Sequence, residues 1–133
     1  MGIFQPGLLI GFDCNEVLPN SLTGHQTVTL ATVTLNVESS SNTVWLTAYA
    51  TWSASNTSND VKFSFVRDDG KVICTATDHP ASVDTFTTAF TCCDKAPLTG
   101  IHTYQLQATG VGPNANTKFT FSTGDFAGAV INT

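Results

Sequence analysis

Most of the chain consists of short segments in which apolar and polar side chains alternate, and no stretch has a helical period. In "TVWLTAYATWSA", residues 43 to 54, Val44 and Leu46 fall on one parity, and Trp45 and Tyr49 fall on the other. A period of two is typical of β-strands that bury one face. Clusters of Gly, Pro, Ser, Asn and Asp separate the segments, as turns require. The pattern therefore predicts an all-β fold.

The spacing and the turn chemistry narrow this fold class. Seven or eight such segments recur at intervals of roughly 8 to 15 residues, which favours a β-sandwich of jelly-roll type. "DDGK", residues 68 to 71, predicts a hairpin between "DVKFSFVR" and "VICTAT". A slip of parity near Ala31 predicts a β-bulge. We expect residues 1 to 15 to be an N-terminal arm or connector, and residues 16 to 133 to form a single β-sandwich domain.

One shared core follows from the parity of successive segments. Side chains on the more apolar parity of each segment are expected to face inward. This set contains most of the large aromatic residues of the chain. Its members are Val44, Leu46, Trp52, Phe63, Phe65, Phe86, Phe90, Tyr104, Leu106, Phe119 and Phe121.

The adjacent Cys92 and Cys93 must point to opposite faces of their strand. Cys92 shares its parity with Phe86 and Phe90, so it faces the core and Cys93 faces outward. Cys74 is also on an inward parity of its own segment. The pattern predicts a disulfide between Cys74 and Cys92, which would add roughly 3 kcal/mol of stability. The alternative is two free buried thiols that pack as small hydrophobic groups.

The N-terminal segment that contains Cys14 allows two interpretations. It is apolar but interrupted by Pro6 and Gly7, so it is either an ordinary first strand or an arm that packs on a neighbouring subunit. In the second case Cys14 would bond to the outward Cys93 of that subunit. An intrachain pair of Cys14 and Cys93 also stays open. The apolar side chains of the arm would be Ile3, Phe4, Leu8, Leu9, Ile10 and Phe12.

The composition indicates which partners the surface suits. Only 11% of residues are charged, and five Lys and Arg stand against ten Asp and Glu, which gives a net charge of −5. Such a chain lacks the basic surface that nucleic acid requires. The 22 Thr and 10 Ser residues instead indicate an uncharged, hydroxyl-rich surface, which is common in secreted and assembled β-proteins. No run approaches about 18 apolar residues, so no membrane partner is expected.

The opening "MGIFQPGLLIGFDC" does not have the pattern of a signal peptide. It carries no Lys or Arg, and Pro6, Gly7 and Gly11 interrupt its apolar stretch. The composition nevertheless suits an oxidising, extracellular environment. We therefore expect an extracellular or spore-surface location that is reached without a signal peptide, for example through cell lysis.

No pattern of residues indicates catalysis or a cofactor. The nucleophile, zinc-protease, phosphate-loop and dinucleotide motifs are absent, so we expect no enzyme and no cofactor. His25, His79 and His102 are scattered singly, and cysteine spacing for a metal site is missing. Several aspartates flank loops and could together hold calcium, but turn chemistry explains them better. These aspartates are Asp60, Asp68, Asp69 and Asp78.

Trp45 and Tyr49 lie on the polar parity of one strand. An exposed aromatic pair of this kind could form a platform on which a sugar ring stacks. Burial of the pair under a neighbouring subunit or under the N-terminal segment is the interpretation we favour.

Three segments together resemble a known group of proteins. "GIHTYQLQA", the Phe-rich "TKFTFST" and the small-residue ending "FAGAVI" are similar to small jelly-roll proteins of spore surfaces, both the TNF/C1q-like type and the endospore-appendage pilins. The resemblance covers residues 27 to 131. It implies a flexible connector, residues 1 to 15, whose Cys14 bonds to Cys93 of a neighbouring subunit in a fibre. The single Cys in this connector departs from the family and leaves the number of crosslinks open.

These observations predict a structural subunit of a self-assembling extracellular or spore-surface fibre, whose partners are copies of itself. The alternative is a carbohydrate-binding or receptor-binding β-sandwich module, such as a lectin or a phage fibre head, that uses Trp45 and Tyr49. A small hydrolase on a β-scaffold is a third possibility, for which the sequence offers no candidate residues.

Overall fold

The computed structural model describes residues 8 to 132, and of Leu8 it describes the backbone alone. These residues form nine β-strands joined by turns and loops. None of them belongs to a helix that could cross a membrane. The strands are β1 (Leu8–Glu16), β2 (Asn20–Thr23), β3 (Thr27–Val37), β4 (Thr43–Ala54), β5 (Asp60–Arg67), β6 (Val72–Asp78), β7 (Thr85–Asp94), β8 (Gly100–Val111) and β9 (Lys118–Asn132).

The strands pair into two antiparallel sheets. One sheet has the order β1, β9, β4, β7, and β2 pairs with the first part of β9 while β1 pairs with the rest. The other sheet has the order β3, β8, β5, β6. Most strands that follow one another in sequence therefore lie in different sheets, as in the Greek-key connections of a jelly roll. The predicted all-β sandwich of jelly-roll type is confirmed.

The two local features predicted from the sequence are present. The register of β3 against β8 shifts between Thr29 and Ala31, which is the predicted bulge. The hairpin of β5 and β6 turns at Gly70, whose φ of 89° suits a residue without a Cβ atom. Both features follow from local chemistry, so the sequence alone could locate them.

Leu8–Glu16 is an edge strand of the chain's own sheet. It pairs antiparallel with β9, and its register shifts between Leu9 and Gly11. An edge position tolerates this interruption because only one side of the strand is paired. Of the residues assigned to the arm, Leu8, Leu9, Ile10 and Phe12 therefore lie on β1, whereas Ile3 and Phe4 lie outside the described residues. The boundary expected after residue 15 falls within this strand.

The predicted core residues lie together between the sheets. Nine of the eleven are fully buried: Val44, Leu46, Trp52, Phe63, Phe65, Tyr104, Leu106, Phe119 and Phe121. Phe86 and Phe90 pack against this cluster but are only partly buried. Both lie on β7, an edge strand that the opposite sheet covers less completely. The core also contains residues that the parity argument did not select, among them Leu22, Val33, Val61, Phe126 and Val130.

Cys74 and Cys92 form a disulfide, as predicted, with their Cα atoms 6.7 Å apart. Cys74 is on β6 and Cys92 is on β7, so the bond joins the edges of two different sheets rather than two neighbours in one sheet. Both residues are partly buried against the core. The disulfide therefore closes one side of the sandwich.

Removal of this disulfide in the Cys74→Ala/Cys92→Ala variant is expected to lower the free energy of unfolding by about 3 kcal/mol. The reason is that the bond closes a sequence separation of 18 residues and so restricts the unfolded chain. Urea unfolding under non-reducing conditions measures the effect. The matched control is Cys14→Ala/Cys93→Ala, which removes two exposed thiols and should change stability by less than about 0.5 kcal/mol. Equal stabilities for the two double variants would contradict the prediction.

Candidate functional site

The candidate site is the outer face of the sheet formed by β1, β9, β4 and β7, called the outer face below. Val44 and Leu46 on β4 are buried, so Trp45 and Thr47 point away from the core. The strand register aligns the outward residues into rows that cross all four strands. One row is Phe12, Ala129, Trp45 and Cys93, and the next is Cys14, Ala127, Thr47 and Thr91.

An apolar groove of about 310 Å³ lies on this face. Phe12 and Trp45, which are 64% and 43% exposed, border it on opposite sides. Ala127 and Ala129 on β9 form its floor, because their short side chains leave space between the two aromatic groups. The groove offers room for an apolar group between two exposed aromatic side chains.

Cys14 and Cys93 are free, exposed thiols on the same outer face. Cys14 is on β1 and Cys93 is on β7, which are the two edges of the sheet. Three strand spacings across the sheet and two residues along it therefore separate them, about 16 Å at the usual spacings of strands and residues. A disulfide requires Cα atoms closer than about 7 Å. An intrachain bond between Cys14 and Cys93 is thus excluded in this fold.

Side chains next to Cys14 hold β1 against the opposite sheet. The Asp13 carboxylate accepts a hydrogen bond from the backbone N–H of Thr34 at 2.8 Å. The Asn15 side-chain amide donates to the carbonyl of Thr32 at 2.6 Å. Because Asp13 and Asn15 are tied to β3, the alternation of the strand directs Cys14 outward. Asp13 and Asn15 are polar residues at alternate positions of an apolar segment, and this pattern was the sequence signal that β1 is anchored by polar contacts. The parity of the segment did not reveal that the partners of these two residues are on β3.

A buried ionic network fixes β7 beside Cys93. Asp94 is 3% exposed, and its carboxylate accepts hydrogen bonds from the Arg67 guanidinium at 2.9 Å and from the Tyr104 hydroxyl at 2.8 Å. Burial, together with the bond to Asp94, raises the pKa of Tyr104 far above its usual value. Since Asp94 is anchored inward, Cys93 must face outward. Tyr104 was predicted to be in the core, whereas the ion pair of Arg67 and Asp94 was not predicted from the sequence.

A second buried contact supports the middle of β7. The Trp52 indole N–H donates to the Thr88 hydroxyl at 2.9 Å, and this hydroxyl donates to the Asp78 carboxylate at 2.6 Å. The chain of bonds links β4, β7 and β6. The strand that carries Cys93 is therefore held at several points along its length.

Tyr49 lies on the same face as Trp45, two rows away. Across its own row are Asp125 on β9 and Glu16 on β1. The nearby Asp125 carboxylate raises the pKa of the Tyr49 hydroxyl above its usual value, with smaller contributions from desolvation and from Glu16. Tyr49 is 41% exposed, so Trp45 and Tyr49 do present two aromatic groups on one surface.

The four aspartates considered for calcium have separate partners. Asp60 contacts His79, Asp68 contacts His102, and Asp78 bonds to Thr88. Asp69 forms a two-fold ion pair with Arg67, which holds the pKa of this carboxyl well below its usual range. Within residues 8 to 132, no three His, Cys, Asp or Glu side chains come together in a way that could hold a metal ion.

Comparison with known proteins identifies the fold. No protein-family model and no curated protein matches the sequence. Among solved structures, the chain is similar to a protein chain in the structure of infectious bursal disease virus, Gx strain. The TM-score is 0.63 and the sequence identity is 10%, and the match covers 91% of this chain and 32% of the viral chain. The VP2 subviral particle of that virus gives a TM-score of 0.62 and 11% identity, over 91% of this chain and 33% of the other.

The chain thus spans about a third of the length of these viral proteins. At such low identity the likeness concerns the fold. It supports the jelly-roll sandwich, whereas the narrower resemblance to spore-surface pilins stays a prediction.

Proposed function

We propose that the protein is a structural subunit of a self-assembling extracellular or spore-surface fibre, in which Cys14 of one copy forms a disulfide with Cys93 of another. The observation that carries this proposal is the placement of the two thiols. Both are free and exposed on one face, and about 16 Å of sheet separates them, so each can form a protein disulfide only with a thiol of another molecule.

The surface between the thiols supports the same conclusion. The groove bordered by Phe12 and Trp45 exposes apolar area that water solvates poorly. Packing of another copy on this face would bury it and bring the thiols of two molecules together. Because only 11% of residues are charged, close packing of copies meets little electrostatic repulsion.

Self-assembly is compatible with this type of sandwich. A chain with a similar jelly-roll fold occurs in the VP2 subviral particle of infectious bursal disease virus. The bond itself forms only where an oxidant is present. Two thiols lose two protons and two electrons to dioxygen or to a small-molecule disulfide, which suits a location outside the reducing cytosol.

Oxidation of the wild-type protein is expected to give covalent oligomers on a non-reducing denaturing gel, and a reductant should abolish them. The Cys14→Ser variant should remain monomeric under the same oxidation, because Cys93 then lacks its partner. Cys93→Ser is the reciprocal variant and should behave identically. Both variants retain the cysteines of the Cys74–Cys92 disulfide and change only an exposed residue, so we expect both to fold.

Two results would contradict the proposed function. The first is a wild-type protein that stays monomeric after oxidation at high concentration. The second is an unchanged yield of covalent oligomers in Cys14→Ser. Electron microscopy of the oxidised wild-type protein then tests whether the assemblies are fibres.

A carbohydrate-binding module is the second candidate function. The observation that favours it is the exposed Tyr49 beside the Asp125 carboxylate, since aromatic faces stack on sugar rings and carboxylates accept hydrogen bonds from sugar hydroxyls. Glycan binding by the monomeric Cys14→Ser protein would support this function. Loss of that binding in Tyr49→Ala would locate it.

A further inference from the structure

We propose that the outer face docks on the outer face of one second copy about a two-fold axis, so that a single contact forms two disulfides, Cys14 to Cys93 and Cys93 to Cys14. This inference rests on the proposed function and specifies its first assembly step. The covalent unit is then a closed dimer, from which any larger fibre grows by non-covalent contacts.

The reciprocity follows from the position of both thiols on one face. Consider two copies with their outer faces together and a two-fold axis between the two sheets. The axis crosses the line from Cys14 to Cys93 at its midpoint and at right angles. It then places Cys14 of each copy over Cys93 of the other copy. A two-fold contact uses the same surface on both copies. The second bond therefore forms without any further rearrangement.

The residues along this axis permit close approach. At the midpoint between the two thiols the axis lies between β9 and β4, where the outward side chains include Ala127, Ala129 and Thr47. Facing sheets usually pack about 10 Å apart. A disulfide needs a shorter Cα separation, and the small side chains at the centre of the face allow it.

Trp45 and the groove are complementary under the same operation. After the two-fold rotation, Trp45 of the second copy, which is on its own β4, lies over β9 of the first copy. There it lies over the groove floored by Ala127 and Ala129 and bordered by Phe12. An aromatic side chain that fills an apolar groove is the usual anchor of a protein interface. Each copy provides one such side chain and one such groove.

The charges on the face do not oppose this contact. Glu16 and Asp125 are at one end of the outer face. The two-fold operation carries them toward the β7 edge, where the outward residues are Ala89 and Thr91. The acidic residues of one copy therefore lie over uncharged residues of the other, and like charges are kept apart.

The area of the face suffices for a stable dimer. Four strands at about 4.8 Å spacing and ten residues at about 3.4 Å rise give a flat area of roughly 650 Å². Side-chain relief increases the accessible area above this value. Specific interfaces bury about 800 Å² per partner, which is of the same size.

Oxidation of the full chain with a small-molecule disulfide tests the proposal. Four protein thiols and two molecules of the reagent give two protein disulfides and four reagent thiols. The covalent dimer is separated under denaturing, non-reducing conditions, treated with iodoacetamide and weighed by mass spectrometry. We expect a dimer that takes up no iodoacetamide and little material larger than a dimer.

The other outcomes separate this inference from the proposed function. A dimer that binds two iodoacetamide groups, together with a ladder of larger oligomers, would show head-to-tail bonding. That result overturns the two-fold contact and leaves the proposed function intact. Absence of any covalent oligomer overturns both.

The contact itself is tested by Trp45→Ala. We expect this variant to form the covalent dimer at least tenfold more slowly, because the groove loses its anchor. The matched control is Ile101→Ala on β8, which removes a 72% exposed side chain from the opposite sheet and should leave the rate unchanged. Equal rates for Trp45→Ala and wild type would overturn the proposed contact.

Discussion

Replacement of Phe65 with Ala is expected to lower the free energy of unfolding by about 3 to 5 kcal/mol. Phe65 on β5 is fully buried and lies between two rings of the opposite sheet. Its ring centroid is 4.1 Å from that of Phe90 and 5.1 Å from that of Phe126, and both pairs are stacked. The substitution removes the central ring of a stack that joins the two sheets, and it leaves a cavity.

Chemical denaturation of the monomeric protein in urea measures this loss. The matched control is Phe12→Ala, because Phe12 is 64% exposed and its removal should change monomer stability by less than about 0.5 kcal/mol. A loss below about 1 kcal/mol for Phe65→Ala would mean that the core relaxes around the missing ring.

Replacement of Arg67 with Ala is expected to cost about 3 to 5 kcal/mol, because it leaves a buried carboxylate without its counter-charge. Arg67 is 5% exposed and donates to Asp94, to Asp69 and to the carbonyl of Ala96. Without the guanidinium, Asp94 remains buried beside the Tyr104 hydroxyl.

Arg67 also makes stability depend on pH. It lowers the pKa of Asp69 in the folded protein, so this pair contributes fully above the unfolded value of about 4. The contribution is lost as the pH falls through the folded pKa. We therefore expect part of the difference between wild type and Arg67→Ala to disappear in strong acid.

Thermal or urea unfolding of both proteins at neutral and acidic pH gives this comparison. Lys71→Ala is the control, since Lys71 is an exposed cation four residues away. Its replacement should change stability by less than about 0.5 kcal/mol. Similar losses for Arg67→Ala and Lys71→Ala would show that the buried network contributes little.

Alternation along single strands predicted much of this structure. It separated Trp45 from Leu46 and Cys93 from Cys92 because side-chain direction on a strand depends only on local parity. Arg67 shares the parity of Phe65, and Asp94 shares the parity of Cys92, although neither was predicted to be buried. Two opposite charges at the ends of inward-facing runs were thus a visible signal for the ionic network.

Parity could not predict which strands share a sheet. Cys14 and Cys93 lie on one face only because β9, at the end of the chain, is inserted between β1 and β4. That order depends on the packing of the whole jelly roll. The edge position of β1 was equally hidden, because it depends on the pairing of Leu8–Glu16 with the distant β9.

The bonds from Asp13 and Asn15 to β3 have a consequence for solubility. An edge strand with free N–H and C=O groups is a template on which another chain can add as a further strand. The Asp13 carboxylate occupies the N–H of Thr34, and the Asn15 amide occupies the carbonyl of Thr32. A foreign strand would have to displace both side chains before it could pair with β3. This part of the β3 edge is therefore less available as a template for a further strand.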